Sequence, residues 1–187
     1  MQLGGTSYDV LLGRRDATTA SIDDANNDIP TPFMDLPALL ANFESHGLSL
    51  HDLVVLSGGH TLGYSRCLFF RSRLYNETDT LDPAYAASLD ERCPAASGDD
   101  DDVLSALDDT PTTVDTDYYQ GRALLHSDQQ LYQGGAGDAD DLVKYYAENP
   151  SKFWEDFGAA MVKMGNLSPL TGDQGEVREN CRVVNQQ

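Results

Sequence analysis

Residues 53–63 read Leu53-Val54-Val55-Leu56-Ser57-Gly58-Gly59-His60-Thr61-Leu62-Gly63. Four apolar residues in a row are too many for one stripe of a surface helix, so this segment is buried on more than one face. Ser49-Leu50-His51-Asp52 precedes it with an acidic residue three after a Ser, a capping-box start. The helix runs into two glycines and then His60. Glycines there let a backbone approach a flat partner closely, and a neutral imidazole is a good axial ligand for haem iron. The ordinary reading of an isolated histidine is a satisfied core or C-cap residue.

Working outward, Asp35 is an N-cap with Pro37 early in the first turn. Leu36, Leu39, Leu40 and Phe43 follow at helical spacing, and Gly47 closes the helix. Residues 4–28 read as irregular, and Pro30, Pro32 and Pro37 hold extended or turn backbone. After His60 a further helical stretch is expected through Leu62, Phe69, Phe70 and Leu74, then a loop-rich region from Asn76 to Asp117. Tyr118 to Tyr132 reads as a helix with a turn at His126-Ser127-Asp128, and Gly134-Gly135-Ala136-Gly137 as a connector. Asp140 is expected to cap a helix ended by Pro150. Ser151 is expected to cap the clearest helix, whose stripe Phe153, Trp154, Phe157, Met161 and Met164 reads as core. The chain is mainly α, about six helices with long loops, as one domain.

Composition narrows function. The 187 residues carry 12 Lys+Arg against 31 Asp+Glu, a net charge of −19. Such a chain repels phosphate backbones and anionic lipid, so nucleic-acid and membrane partners are not expected. No apolar stretch approaches the roughly 20 residues of a spanning helix. No signal peptide is visible at Met1-Gln2-Leu3-Gly4-Gly5. The three cysteines, Cys67, Cys93 and Cys181, are an odd count. Reduced thiols in a cytosolic protein, or a pair plus one unpaired thiol in an oxidising compartment, both remain open at this point.

A second polar cluster is Asp108-Asp109-Thr110-Pro111-Thr112-Thr113-Val114-Asp115. Closely spaced hard oxygen donors suit Ca²⁺, although the pattern lacks the Gly and bidentate Glu of an EF-hand. Without other support it is an acidic loop, as is Asp99 to Asp102. Asp128 is a candidate acceptor for the far nitrogen of a ligating histidine, but spacing alone does not connect it to His60. Zinc lacks a Cys-x-x-Cys or paired His, and a Ser hydrolase lacks its Gly-x-Ser-x-Gly turn.

Several of these segments, in order, resemble the secretory plant (class III) haem peroxidases. They are Gly4-Gly5 to Gly13-Arg14-Arg15-Asp16, Ile29-Pro30-Thr31-Pro32-Phe33, the His60 segment, Thr110-Pro111-Thr112 with Asp115 and Tyr118-Tyr119, Leu124-Leu125-His126-Ser127-Asp128-Gln129, and Met161 to Asn185. The resemblance implies the proximal helical half of a haem-peroxidase fold over residues 1–187. Residues 1–34 would be an irregular segment lining the haem edge and 35–187 the proximal helical region. It implies haem b held by His60 as axial ligand, with Asp128 supporting it, and Pro30 where small aromatic donors dock. It implies Ca²⁺ bound by Thr61, Asp108, Thr110, Thr113 (through its carbonyl) and Asp115. The family spacing is Asp-x-x-Thr before the Pro, and here it is one residue tighter. It further implies a Cys67–Cys93 disulfide, an unpaired Cys181, and a glycosylation acceptor at Asn76-Glu77-Thr78.

The implied activity is reduction of hydrogen peroxide coupled to one-electron oxidation of phenolic donors, in a secreted or vacuolar protein that is a monomer when complete. The family's distal Arg and His have no match in this chain, so no catalytic residue of that face is assigned. His51-Asp52 and the Arg122/His126 pair are decoys, and His46 is an exposed residue near a helix end. A truncated, catalytically weak or inactive haem-binding relative lacking the distal His and Arg, and a non-enzymatic acidic helical interaction protein, are the alternatives.

Overall fold

The computed structural model describes residues 3–96, 98–120, 123–132 and 137–186. Among them are eight α-helices: α1 (Ile22–Asp28), α2 (Leu36–Ser45), α3 (Leu50–Ser57), α4 (Cys67–Asn76), α5 (Pro83–Asp90), α6 (His126–Gln129), α7 (Asp138–Glu148) and α8 (Pro150–Gly165). Two short strands, β1 (Tyr64–Arg66) and β2 (Leu104–Ala106), pair antiparallel with Ser65 opposite Ser105.

α3 begins as its sequence dictates. The Ser49 hydroxyl accepts from the Asp52 N–H, and the Asp52 carboxylate accepts from the Ser49 N–H at 2.7 Å. Leu53, Val54 and Val55 are essentially sealed from water, each burial stabilising by about 1.5–3 kcal/mol. They pack against Leu39 of α2, Val143 and Tyr146 of α7, and Phe153 and Ala160 of α8, with Tyr119 and Leu131. A second cluster gathers Cys67, Phe70 and Leu74 of α4 with Leu81, Leu89, Cys93, Leu107, Leu124 and Leu125. Leu125 belongs to one cluster and Leu131 to the other, so α6 lies at their seam.

The structure revises several expectations. Residues 4–28 are not wholly irregular: Ser21 caps α1 by accepting from the Asp24 N–H. Of residues 1–34, Pro30, Thr31 and Pro32 reach the cavity beside His60. Arg15 and Asp16 instead bond to the C-terminal tail, through Leu170 and Glu176. Gly63, at φ +98°, breaks the expected helix after His60 and lets β1 form. Tyr118 to Tyr132 is not one helix but a 3₁₀ turn, Asp117–Gln120, and the separate α6. Between them Leu124 and Leu125 are adjacent and both buried, with Leu125 in extended backbone.

In the expected loop region, Asp82 caps α5 by accepting from the Tyr85 N–H at 2.8 Å, with Pro83 opening the helix. α7 starts after Gly137, and Asp140 lies buried in its first turn rather than at the cap. Pro150 opens α8, with Asn149 rather than Ser151 at the cap. Gly134, Gly135 and Ala136 of the connector lie outside the described residues. Cys67 and Cys93 form a disulfide closing 26 residues, and Cys181 is free and exposed. Among the described residues no helix is long and apolar enough to cross a membrane.

Candidate functional site

His60 sits in a 3₁₀ turn, Gly58–Thr61, that continues directly from α3. Its Nδ1 lies 2.9 and 3.1 Å from the two carboxylate oxygens of Asp128 on α6. That contact crosses the seam between the two apolar clusters. The Asp128 side chain is 5% exposed while that of His60 is 42% exposed. The acceptor is therefore dry and the ring's other edge open. Burial alone would push the His60 pKa down, but the Asp128 carboxylate outweighs it and holds it above its ordinary value. The Tyr118 hydroxyl donates to Asp128 Oδ1 at 2.9 Å. Burial first, and then Asp128, push that phenol well above its ordinary range. A carboxylate accepting from Nδ1–H fixes the tautomer that leaves a lone pair on Nε2.

His60 opens onto a cavity of about 500 Å³, within the range of small-molecule and cofactor sites. Leu39, Phe43, Leu53 and Leu56 form one part of its wall, Phe69 and Leu125 another, and Phe157, Met161 and Met164 of α8 a third. Pro30, Thr31, Pro32 and Ser127 also line it. The Ser127 N–H donates to the Pro32 carbonyl at 3.1 Å, tying the proline loop to α6.

The α8 stripe is thus core only in part. Phe153 is buried, whereas Phe157, Met161 and Met164 face the cavity. A helix of 16 residues turns its stripe gradually from α3 toward the opening, which the periodicity could not reveal. The two glycines also divide their tasks. A Cβ on Gly58 would fall 2.6 Å from Phe153 and closer still to the Tyr119 hydroxyl, so that glycine serves packing. Gly59 lines the cavity, and a Cβ there would sit 3.8 Å from Phe157, an ordinary contact.

The oxygen-rich segment folds beside the same turn. The Thr61 hydroxyl is 3.2 Å from Asp115 Oδ1 and 3.4 Å from the Thr113 carbonyl. The Thr110 hydroxyl is 2.7 Å from Asp115 Oδ2, and the Thr110 N–H donates to Asp108 Oδ1 at 2.9 Å. Asp108 Oδ2 is buried without a hydrogen-bond partner. Burial, with the Asp115 and Asp117 charges, raises the Asp108 pKa. A dry, unpaired carboxylate oxygen among hydroxyl and carbonyl oxygens suits a hard cation. Among the described residues no group of three or more His, Cys, Asp and Glu side chains is placed to hold a metal, so any such site draws on threonine and backbone oxygens.

The remaining histidines lie elsewhere. His51 contacts the Tyr146 hydroxyl at 2.8 Å, and His46 Nδ1 is within hydrogen-bond distance of the Asn42 carbonyl, at 2.9 Å. His126 lies between Glu77 and Asp35, 2.8 Å from each, and Arg122 is outside the described residues. Sequence reasoning gave no role to Tyr118 or Phe69. Neither has a local signal, because each acquires its place from a partner more than five residues away: Asp128 for Tyr118, and Phe33 for Phe69.

The peroxidase family profile matches residues 1–149. The chain is 51% identical over 188 residues to Peroxidase RIP1 of Medicago truncatula, covering 97% of this chain and 57% of that protein. It is 50% identical to Peroxidase 4 of Vitis vinifera and 52% identical to Peroxidase 70 of Zea mays, each over 188 residues, 98% of this chain and 58% of the relative. The chain therefore spans a little under three fifths of the length of these relatives. With most of its length matched and half its residues identical, the chain belongs to the plant (class III) peroxidase family.

Proposed function

We propose that the cavity beside His60 is the proximal side of a haem b site, and that the whole protein reduces hydrogen peroxide while oxidising phenolic donors one electron at a time. The observation that carries this reading is His60 itself. Its Nδ1 is fixed by a dry carboxylate, and no described residue bonds its Nε2. The ring stands in the wall of a largely apolar cavity of cofactor size. Bound haem would supply the redox chemistry, in which peroxide takes up two electrons and two protons to give water and two donors each lose one electron.

The chain's own residues have separable tasks. His60 Nε2 would hold the iron. Asp128 keeps the Nδ1 proton and orients the ring. Phe43, Phe69, Phe157 and Met161, which line the cavity, would exclude water from it once the cofactor is bound. Pro30, half-buried at the cavity wall, would meet small aromatic donors. Thr61, Asp108, Thr110, the Thr113 carbonyl and Asp115 would hold Ca²⁺, a hard ion suited to their oxygens. Because Thr61 adjoins the haem ligand, the ion would stiffen the turn that aims it.

A second reading concerns the 187-residue chain alone. The described residues lining the cavity include no Arg and no histidine besides His60. Proton transfer to peroxide and stabilisation of the developing charge need such groups. The chain by itself is therefore expected to hold haem yet turn over weakly. An extracellular or vacuolar location and a monomeric state belong to the same proposal. The Cys67–Cys93 disulfide and the exposed Asn76 of the glycosylation acceptor support the location.

Hemin titration followed by absorbance tests the reading. Wild-type protein should give saturable binding with a sharp, shifted Soret band, and His60→Ala should lose both. Indistinguishable spectra and affinities would refute it.

A further inference from the structure

Asp128 Oδ1 is shared between two donors. It lies 2.9 Å from His60 Nδ1 and accepts from the Tyr118 hydroxyl, also at 2.9 Å. With the carboxylate 5% exposed, bulk water does not compete for it. The phenol is held rigidly. Its ring meets His60 edge-on at 6.2 Å and 81°, and meets Tyr119 at 5.0 Å and 75°. Tyr119 is in turn anchored by donating its hydroxyl to the Val54 carbonyl of α3 at 3.0 Å. Tyr118 belongs to the 3₁₀ turn Asp117–Gln120, just after Asp115. One turn therefore connects the oxygen-rich loop, the α3 core and the carboxylate behind His60.

Each hydrogen bond that a carboxylate accepts draws off part of its charge, and in a dry site that redistribution passes along the network. A carboxylate so depleted is a weaker acceptor for Nδ1–H, and the imidazole becomes less electron-rich at Nε2. Axial-ligand strength and its hydrogen bonding are principal controls on haem potential. We propose that Tyr118 is a positioning residue that tempers the donor strength of His60 by sharing Asp128. The inference rests on the haem reading above and adds to it a residue that touches neither the cofactor nor its ligand atoms.

The test uses the full chain reconstituted with hemin. It compares wild type, Tyr118→Phe, Tyr119→Phe, Asp128→Asn and His60→Ala, with ferric–ferrous potential and the iron–histidine stretching frequency as readouts. In Tyr118→Phe, Asp128 becomes a stronger acceptor. The ferric form should then be favoured by about tenfold, a 59 mV fall for one electron, and the stretching frequency should rise. Asp128→Asn should move both the other way. Tyr119→Phe, whose hydroxyl serves α3, should leave both unchanged.

Fluorotyrosine at position 118 keeps the ring's shape but makes the phenol a stronger donor, so its potential should rise. It also gives a result if the phenylalanine variant does not fold. An unchanged or raised potential in Tyr118→Phe, or an unchanged or lowered one with fluorotyrosine, overturns the inference and leaves the haem reading standing. Hemin binding that ignores His60→Ala overturns the haem reading itself.

Discussion

Gly58→Ala should destabilise the protein where Gly59→Ala does not. Gly58 is buried at the junction of α3 and the His60 turn. A Cβ built there would lie 2.6 and 2.9 Å from Phe153 ring carbons and closer still to the Tyr119 hydroxyl oxygen. Neither ring can retreat: Phe153 is 1% and Tyr119 4% exposed, and Tyr119 would lose its bond to the Val54 carbonyl. Overpacking of this kind costs about 1–3 kcal/mol, here toward the upper end because two rigid rings are struck. Replacing glycine also restricts the unfolded chain, which returns about 0.4–1 kcal/mol where the backbone is compatible. The net loss for Gly58→Ala is about 2 kcal/mol, or roughly 4–8 °C in Tm for a chain of this size.

At Gly59 the same unfolded-state gain applies, and the new Cβ meets only Phe157 at 3.8 Å. That variant should be neutral or slightly more stable. Urea unfolding followed by circular dichroism measures both, and the difference between the variants cancels the unfolded-state contribution. Equal stabilities, or a larger loss at Gly59, would refute the division of labour between the glycines.

Removing the disulfide as Cys67→Ala/Cys93→Ala frees a 26-residue loop. It should cost about 3–4 kcal/mol, read as a lower urea midpoint; a loss under about 1 kcal/mol would contradict the loop-closure argument. Calcium at a hundredfold excess over its Kd should stabilise by about 2.7 kcal/mol, with the gain lost in Asp115→Ala; a Tm indifferent to calcium and chelator would contradict the site.

Both ring nitrogens of His126 face carboxylates, an arrangement that only the imidazolium serves fully as donor. Burial lowers its pKa, but Glu77 and Asp35 raise it further, leaving it above the ordinary 6.5. Its contribution should be fully present below about pH 6.5 and lost as pH rises through the higher folded value. The stability gap between wild type and His126→Gln, from urea unfolding at each pH, should therefore shrink with rising pH, from at most about 1 kcal/mol given the exposure of Asp35; a gap that grows would reverse the sign.

Local signals carried α2, α3 and α8. Apolar residues there recur three or four apart, and the Ser49/Asp52 capping box of α3 has the same reach, so those marks survive in the linear chain, whereas the cap of α8 fell at Asn149 rather than Ser151. α5 had its mark too, in Asp82-Pro83, but only Leu89 of its eight residues is buried, so periodicity was silent. Three-residue strands have no periodicity to read, and the β1–β2 pair depends on Gly63 turning the chain.

The stretch after Tyr118 misled because tertiary bonds outweigh helix propensity there. The Tyr119 hydroxyl reaches α3, and the Ser127 N–H reaches the Pro32 carbonyl. His60 was legible from its own segment, whereas its partner Asp128 stands 68 residues away; its residue type made it a candidate acceptor, but only the family resemblance paired it with His60. Tyr118 sat within a matched stretch, yet its bond to Asp128 is set by the 3₁₀ turn, which no spacing encodes.

Coordination of haem iron by the imidazole of His60 underlies every proposal made for this cavity. The direct measurement is resonance Raman of the ferrous, hemin-loaded chain, comparing wild type with His60→Gly before and after adding free imidazole. Such coordination gives an iron–histidine stretching band in wild type, its absence in His60→Gly, and its return when imidazole fills the space left by the side chain. A band that persists in His60→Gly without imidazole would contradict it.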